Sequence, residues 1–294
     1  MQINALFLTP YINPWMINAG QSRVLHIFDR ACNLINEHGD VLSIVTTQIG
    51  NGPFNLVVED DIRFSEHLRL ESEISTSPTQ LYLGDLTIHT TTGKIWNPHP
   101  DWKRLHVNKS DIATELAKLP IIDYPNPGGL DILFGKPSGL LNHRGLQIPQ
   151  SLVSNLFSAL VNVDISLARR ITSQLAGLGA GLTPSGDDFI MGAIYAAWII
   201  HPPAVASVLA KEIADTSVPL TTSLSAAWLR SAGRGEAGIL WHEFFDVLVS
   251  NNHAQIEESM KSILAVGETS GADALAGFIG VFLSWMEKTG SSHG

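Results

Sequence analysis

The sequence of 294 residues is poor in cysteine, in positive charge and in long apolar runs. A single cysteine, Cys32, excludes an internal disulfide and a cysteine-ligated metal cluster, and its place in a strand-like segment predicts a small core residue. The formal net charge is −10 and no run of Lys or Arg occurs, which argues against nucleic acid as a partner. The two longest apolar stretches, 189–200 and 274–286, are shorter than the ~20 residues of a membrane span.

The N-terminal segment also lacks the basic and apolar regions of a signal peptide. We therefore expect a cytoplasmic protein without a membrane partner. Hydrophobic residues make up 45% of the chain and charged residues 16%, below the usual ~25%, so the chain can bury a large core.

Two parts of the chain carry different periodicities. In the first 105 residues, strand-like segments alternate with turn residues, and a hairpin is predicted around Gly39. The predicted strands are 24–35, 41–47, 54–60, 68–75, 80–91 and 94–98. From about residue 150 the apolar spacing is helical. The predicted helices are 151–177, 187–200, 203–215, 221–233, 236–250, 254–265 and 272–287.

This pattern predicts an α+β protein. A small barrel-like or sandwich-like β domain (1–105) is followed by a Pro/Gly-rich connection (106–149) with one helix at 110–118. A helical domain (150–294) with two buried apolar helices completes the chain.

A short polar pattern occurs twice in the helical part, 85 residues apart. Residues 181–192 read GLTPSGDDFIMG, and residues 267–277 read GETSGADALAG. Both contain Ser-Gly-x-Asp-x-x-x-Gly, with a threonine just upstream and an apolar run directly after. The matching positions are Ser185, Gly186, Asp188 and Gly192 in the first copy, and Ser270, Gly271, Asp273 and Gly277 in the second. The repeat indicates an internal duplication and two helix starts that could converge on one site.

A structural role for the pattern is a capping box, in which the serine caps the helix and the aspartate bonds back to it. Gly192 and Gly277 would then be close helix-packing points. A capping box does not explain three features. Asp187 stands beside Asp188, several glycines precede the first copy, and the same cluster begins two separate helices. Glycines and free N–H groups at helix starts let a backbone approach a ligand.

The charge of this polar cluster leaves two chemistries open. A Mg²⁺ ion could lie between the carboxylates of Asp187, Asp188 and Asp273 and an anionic substrate. Alternatively, the aspartates could accept hydrogen bonds from amide groups while hydroxyl and N–H groups hold an oxyanion. The aspartates are the catalytic candidates. The substrate-binding candidates are Thr183, Ser185, Gly186, Thr269, Ser270, Gly271 and Arg230.

Other polar groups are secondary candidates. Thr221 and Thr222 begin another predicted helix as ordinary caps or as contributors to the site. Arg230 or Arg234, near the end of that helix, could bind a carboxylate or phosphate bidentately. Lys136 and Arg144, in the Pro/Gly-rich connection, could also reach an anion.

These segments resemble a bacterial family of unknown function, loosely labelled putative carboxylase, which includes the H subunit of the oxamate carbamoyltransferase of allantoin catabolism. The resemblance rests on GLGAGLTPSGDDFIMG, TTSLSAAWLRSAGRGEAG and TSGADALAGFIG, with HIFDRACNLI and IGNGPF in the N-terminal half. It implies carbamoyl transfer between carbamoyl phosphate and an amide or carboxylate acceptor, in a multi-subunit assembly. The residues that match the family's motif positions are Thr183, Ser185, Asp187, Asp188, Thr269, Ser270 and Asp273.

Three functional hypotheses follow. The first is an enzyme, or enzyme subunit, that transfers a carbamoyl group to a small nitrogenous acid such as oxamate. In it Asp188 and Asp273 handle protons or face a metal, and Ser185 and Ser270 donate to an oxyanion. The second is a metal-dependent hydrolase with Mg²⁺ at the two helix starts, because these starts distantly resemble those of ADP-ribosyl hydrolases. The third is a non-catalytic structural or regulatory subunit. The expected partners are a small anionic substrate and either heteromeric subunits or further copies of the chain.

Overall fold

The computed structural model describes residues 1–118, 150–250 and 252–290, and these residues form two compact units. One unit comprises Met1–Pro98 with Ala237–Ile239, and the other comprises His99–Glu236 with the chain from Leu240 onward. The first unit is rich in strands and the second is helical, which confirms the α+β class. The domain limits at 105 and 150 stay a prediction.

Ten short strands of the first unit form two sheets. In chain order they are β1 (Gln2–Asn4), β2 (Phe7–Leu8), β3 (Arg23–Ile27), β4 (Ala31–Ile35), β5 (Val41–Thr46), β6 (Asn55–Val58), β7 (Ile74–Ser77), β8 (Gln80–Leu83), β9 (Leu86–His89) and β10 (Lys94–Ile95). The four-stranded sheet has the order β1-β9-β8-β7, and the six-stranded sheet has the order β10-β2-β6-β5-β4-β3. Both sheets are open, so the barrel-like alternative is wrong, because the outer strands of each sheet do not pair with each other.

The predicted hairpin around Gly39 is confirmed. β4 pairs antiparallel with β5 from Ala31 opposite Val45 to Ile35 opposite Val41. The Asn36 side chain accepts hydrogen bonds from the backbone N–H groups of His38 and Asp40, and Gly39 takes a φ of 80°. Such an Asx turn with a left-handed glycine closes a short loop.

Three predicted strands are wrong in extent. Residues 80–91 form the two antiparallel strands β8 and β9. Residues 24–35 form the two strands β3 and β4, because the chain turns where the N–H of Phe28 donates to the carbonyl of Ala31. Residues 68–75 contribute only the start of β7. A turn precedes it, in which the N–H of Ser72 donates to the carbonyl of Arg69.

One core serves both sheets and the short helices α1 (Ile12–Ile17) and α2 (Phe64–His67). Side chains of β8 and β9 alternate between buried and half-buried, as expected for strands with one face on a core. Cys32 is fully buried in this core, and burial raises the pKa of its thiol to about 12. The prediction of a structural cysteine is confirmed, because a thiol of raised pKa is a poor nucleophile.

Ten further helices follow in the described part of the chain. They are α3 (Trp102–Val107), α4 (Lys109–Leu116), α5 (Gln150–Asn162), α6 (Ile165–Leu175), α7 (Ser185–Ile200), α8 (Pro203–Ser217), α9 (Ser223–Gly233), α10 (Ile239–Leu248), α11 (His253–Leu264) and α12 (Ser270–Gly290). The single helix predicted at 151–177 is two helices, because Val163 takes a φ of 57° and Asp164 caps α6. Two helices also occupy 102–116, where one helix at 110–118 was expected.

The two buried apolar helices are α7 and α12. In α7 every residue of 186–200 except Met191 is buried, and in α12 the twelve residues 271–282 are buried. A helix that is apolar on all sides needs other helices around it, and α5, α8, α9 and α11 pack against this pair. No helix within the described ranges has both the length and the apolarity needed to cross a bilayer.

Candidate functional site

The two copies of the repeated pattern begin α7 and α12 side by side. Thr183 Oγ1 lies 3.0 Å from Ser270 Oγ, so the polar ends of both helices meet. One to two turns further on, a Cβ added to Gly192 would lie 1.8 Å from the carbonyl oxygen of Ala274. A Cβ added to Gly277 would lie 2.0 Å from the carbonyl oxygen of Phe189. The prediction that Gly192 and Gly277 are packing points is therefore confirmed, since only glycine allows this approach.

The two close contacts are equivalent in the repeat. Gly192 corresponds to Gly277 and Phe189 corresponds to Ala274, 85 residues apart in each case, so the contact of Gly192 with Ala274 is repeated by that of Gly277 with Phe189. The preceding helices match as well, because Asp164 caps α6 and Asn252 caps α11, each by accepting a hydrogen bond from the backbone N–H three residues on. These two caps are 88 residues apart and not 85, so a duplication that includes α6 and α11 stays a prediction.

Gly186 and Gly271 lie in equivalent close contacts. A Cβ on Gly186 would lie 2.1 Å from the carbonyl oxygen of Leu175, and a Cβ on Gly271 would lie 1.8 Å from that of Ile263. Both glycines therefore hold α7 and α12 against the ends of the helices before them. This packing accounts for the two glycines that the sequence proposed as substrate-binding.

Four side chains at the shared helix start form what we call the hydroxyl–carboxylate cluster: Thr183, Ser270, Asp188 and Asp273. Asp188 is 7% exposed and Asp273 is fully buried. Asp188 Oδ2 has no hydrogen-bond partner among the described residues. Native proteins seldom leave a buried polar atom without a partner, so this oxygen is a candidate ligand contact.

Burial raises the pKa of Asp188 well above its usual range. Hydrogen bonds from the Ser270 and Thr183 hydroxyls oppose this rise, and the nearby charges of Asp273 and Asp187 add to it. Asp188 therefore keeps its proton to a higher pH than an ordinary aspartate does. A carboxyl group with these properties can act as a proton donor or as a base stronger than usual.

Asp187 has a different role from its neighbour. Its Oδ1 accepts a hydrogen bond of 2.9 Å from the N–H of Gly177, and its Oδ2 accepts from the hydroxyls of Thr221 and, at 2.9 Å, Ser225. Both oxygens thus tie the glycine-rich loop and the start of α9 to α7. Gly177 has a φ of 72°, and a Cβ there would meet the carbonyl oxygen of Leu220. The loop geometry therefore depends on Gly177 and Asp187.

We predict that Asp187→Asn lowers the free energy of unfolding by about 2 kcal/mol, since the new amide N–H groups face donors where an acceptor is needed. Urea unfolding followed by circular dichroism measures this change. A variant as stable as the wild type would contradict the positioning role of Asp187.

Ser185 and Thr269 are half-buried beside the cluster, and neither side chain makes a hydrogen bond to a described residue. Pro184 occupies the position before α7, and no side chain caps this helix, so the capping-box interpretation is wrong for the first copy. The cap predicted at Thr222 is confirmed, because its hydroxyl accepts from the N–H of Ser225 at 3.2 Å.

Arg230 lies apart from the hydroxyl–carboxylate cluster. It is in the last turn of α9 and lines a groove beside α8, whereas the N-terminal end of α9 contacts Asp187. Lys136 and Arg144 lie outside the described residues.

The three aspartates differ in their availability to a metal ion. Both oxygens of Asp187 are engaged by protein donors, which removes it as a ligand. In the part of the chain that the structure describes, no group of three or more His, Cys, Asp or Glu side chains is arranged to hold a metal ion. Mg²⁺ in proteins is usually bound by one or two carboxylates, with waters and substrate oxygens as its other ligands, so Asp188 and Asp273 keep the Mg²⁺-dependent alternative as a prediction.

The fold and site define an α+β protein whose duplicated helix pair surrounds buried acidic groups. A family model described as oxamate carbamoyltransferase subunit AllH matches residues 175–282, which include both helix starts, and a model described as the AllH family N-terminal domain matches residues 7–95. Together they cover most of the chain, and the protein belongs to the AllH family. No solved structure matches it.

Proposed function

We propose that this protein is a subunit of a carbamoyltransferase that acts on a small nitrogenous acid such as oxamate in allantoin catabolism. The family description names a subunit, so partner subunits belong to the proposal. Within the chain, we assign the binding of the carbamoyl or amide group to the hydroxyl–carboxylate cluster. The observation that carries this assignment is the buried Asp188 carboxyl, whose Oδ2 has no partner among the described residues.

The chemistry of a carbamoyl group matches these side chains. Its NH₂ group donates hydrogen bonds and its carbonyl oxygen accepts them. A protonated Asp188 offers one donor and one acceptor side by side, and can pair with an amide through two hydrogen bonds without burying a net charge. The hydroxyls of Thr183 and Ser270 are 3.0 Å apart, and their oxygens can accept hydrogen bonds from the NH₂ group.

The transfer step also needs a proton acceptor. As the acceptor nitrogen forms its bond to the carbamoyl carbon, the bond from that carbon to the phosphate oxygen breaks, and the nitrogen loses a proton. Once ionised, a carboxylate of raised pKa takes this proton more readily than an ordinary aspartate. Asp188 in its ionised form is therefore the candidate base, and burial together with the nearby charge of Asp273 keeps its pKa high.

Removing one hydroxyl tests the site. In the complex assembled with its partner subunits, Ser270→Ala is expected to lower kcat/KM for carbamoyl transfer about tenfold or more, since it removes a donor from a buried polar site. The measurement is steady-state kinetics with carbamoyl phosphate and oxamate. Ser173→Ala is the matched control, because Ser173 is exposed on α6 and bonds only to the carbonyl of Arg170.

Unchanged kinetics of Ser270→Ala in an active, fully assembled complex would place the chemistry on another subunit. That outcome would favour the non-catalytic interpretation of this chain. Equal losses in Ser270→Ala and Ser173→Ala would indicate a general effect on assembly.

A further inference from the structure

A groove between α8 and α9 lies apart from the hydroxyl–carboxylate cluster. It has a volume of about 690 Å³, within the range of small-molecule sites. Its lining combines apolar and charged side chains, and none of the four cluster residues takes part. Apolar lining comes from Trp198, Ala214, Val218 and Gly233, and the charged side chains are Lys211, Asp215, Arg230 and Arg234.

The charges around this groove are compensated except at one residue. Lys211 forms an ion pair with Asp215, and Arg234 pairs with Glu236 at 2.7 Å. The guanidinium of Arg230 makes no hydrogen bond or ion pair with any described residue, although it is half-buried. In a chain of net charge −10, a half-buried cation without a carboxylate is unusual and marks a place where an anion would be favoured.

The apolar wall of the groove is fixed in place. Trp198 donates from Nε1 to the carbonyl oxygen of Ala232 at 3.0 Å, and its ring stacks on Trp102 with 5.7 Å between centroids. A Cβ added to Gly233 would lie 2.7 Å from Cβ of Ala214, so α8 and α9 meet closely at this point. A wall held by packing and hydrogen bonds loses little entropy when a ligand binds.

We propose that this groove binds a small organic anion, whose carboxylate or phosphate pairs with Arg230 and whose apolar or planar part lies against Trp198 and Val218. A guanidinium binds either oxyanion through two parallel hydrogen bonds. An apolar body adds contact area that acetate or inorganic phosphate lacks.

Titration calorimetry with the full chain tests the site and separates the two oxyanions. The probes are benzoate, phenyl phosphate and neutral benzamide, which share a planar ring. Benzoate or phenyl phosphate is expected to bind at least tenfold more tightly than benzamide, and the tighter of the two identifies the preferred oxyanion. Arg230→Gln is expected to weaken the binding of the preferred probe about tenfold or more.

Arg170→Gln is the matched control. Arg170 is exposed on α6, forms no ion pair with a described residue and carries the same charge. Ser207→Phe is a second test that keeps every charge, because it fills the groove from α8 and should abolish binding of the anions. Benzamide binding as tightly as the anions, or equal affinities of wild type and Arg230→Gln, would overturn the proposal.

Discussion

Asp188→Asn is expected to lower carbamoyl transfer by about 10²-fold or more while leaving the folded protein at least as stable as the wild type. The loss of activity follows because an amide neither takes up nor releases a proton at neutral pH, and a positioned acid or base typically contributes 10²–10⁴-fold. The stability is kept because Asn has the same shape and carries no charge in a buried place. Steady-state kinetics of the assembled complex and urea unfolding of the chain measure the two effects.

The raised pKa of Asp188 also determines how the free energy of unfolding changes with pH. Burial raises the folded-state pKa of Asp188 above its unfolded value of about 3.9. Between these two pKa values the native state holds a proton that the unfolded state has released, so the free energy of unfolding falls as pH rises. The contribution of Asp188 is fully present below about pH 4 and is lost as pH rises toward the folded pKa.

Asn at this position does not titrate. The stability of Asp188→Asn relative to the wild type should therefore increase from pH 4 toward pH 8, by at most about 1.4 kcal/mol per pH unit. Unfolding curves at several pH values within this interval provide the measurement. An Asn variant that is less stable than the wild type at pH 8 would show that the ionised carboxylate is a structural group.

The neighbouring aspartate provides the control for this experiment. Asp187→Asn makes the same chemical change one residue away, where both carboxylate oxygens already accept hydrogen bonds. Stability should fall in Asp187→Asn and hold in Asp188→Asn. Equal effects of the two substitutions on stability would remove the distinction between a positioning and a ligand-facing carboxylate.

The sequence predicted the two buried helices and their packing glycines because these signals are local. Apolar runs directly after Ser185 and Ser270 identified the two buried helices, and aligning the copies identified the glycines at their contact. The meeting of the two starts was a hypothesis from the repeat, and the contact between Thr183 and Ser270 spans 87 residues. The periodicity within one helix carries no information about a contact between residues so far apart in the sequence.

Other features depended on contacts that are remote in sequence. Asp187 and Asp188 are equivalent in the sequence, and only the fold places Thr221 and Ser225 against Asp187 alone. Arg230 follows the same polar segment but lies two turns beyond its start, which directs it to another groove. In the first unit, β5 pairs in parallel with β6, and the short strands β2 and β10 also pair in parallel. Local alternation predicts a strand but not its neighbour.

Substitution of Gly192 should have the largest effect on stability of any change predicted for this protein. Gly192→Ala places a Cβ 1.8 Å from the backbone carbonyl of Ala274, where no side-chain rotation can relieve the clash. The two helices must separate, and we expect a loss of about 3 kcal/mol or more in the free energy of unfolding. Urea unfolding and thermal melting measure it, with a fall of roughly 6 °C or more in Tm.

Two further alanine substitutions separate helix contact from other effects of glycine. Gly290→Ala, at the end of α12, meets nothing within 4 Å and should leave stability unchanged or slightly raised, because alanine favours a helix. Gly277→Ala should match Gly192→Ala, since the duplication gives both glycines the same contact with the other helix. A mild effect of Gly277→Ala beside a severe effect of Gly192→Ala would mean that the two helix starts are not equivalent. Losses of similar size would support a paired helix start whose geometry, and therefore the spacing of Thr183 from Ser270, depends on both copies of the motif.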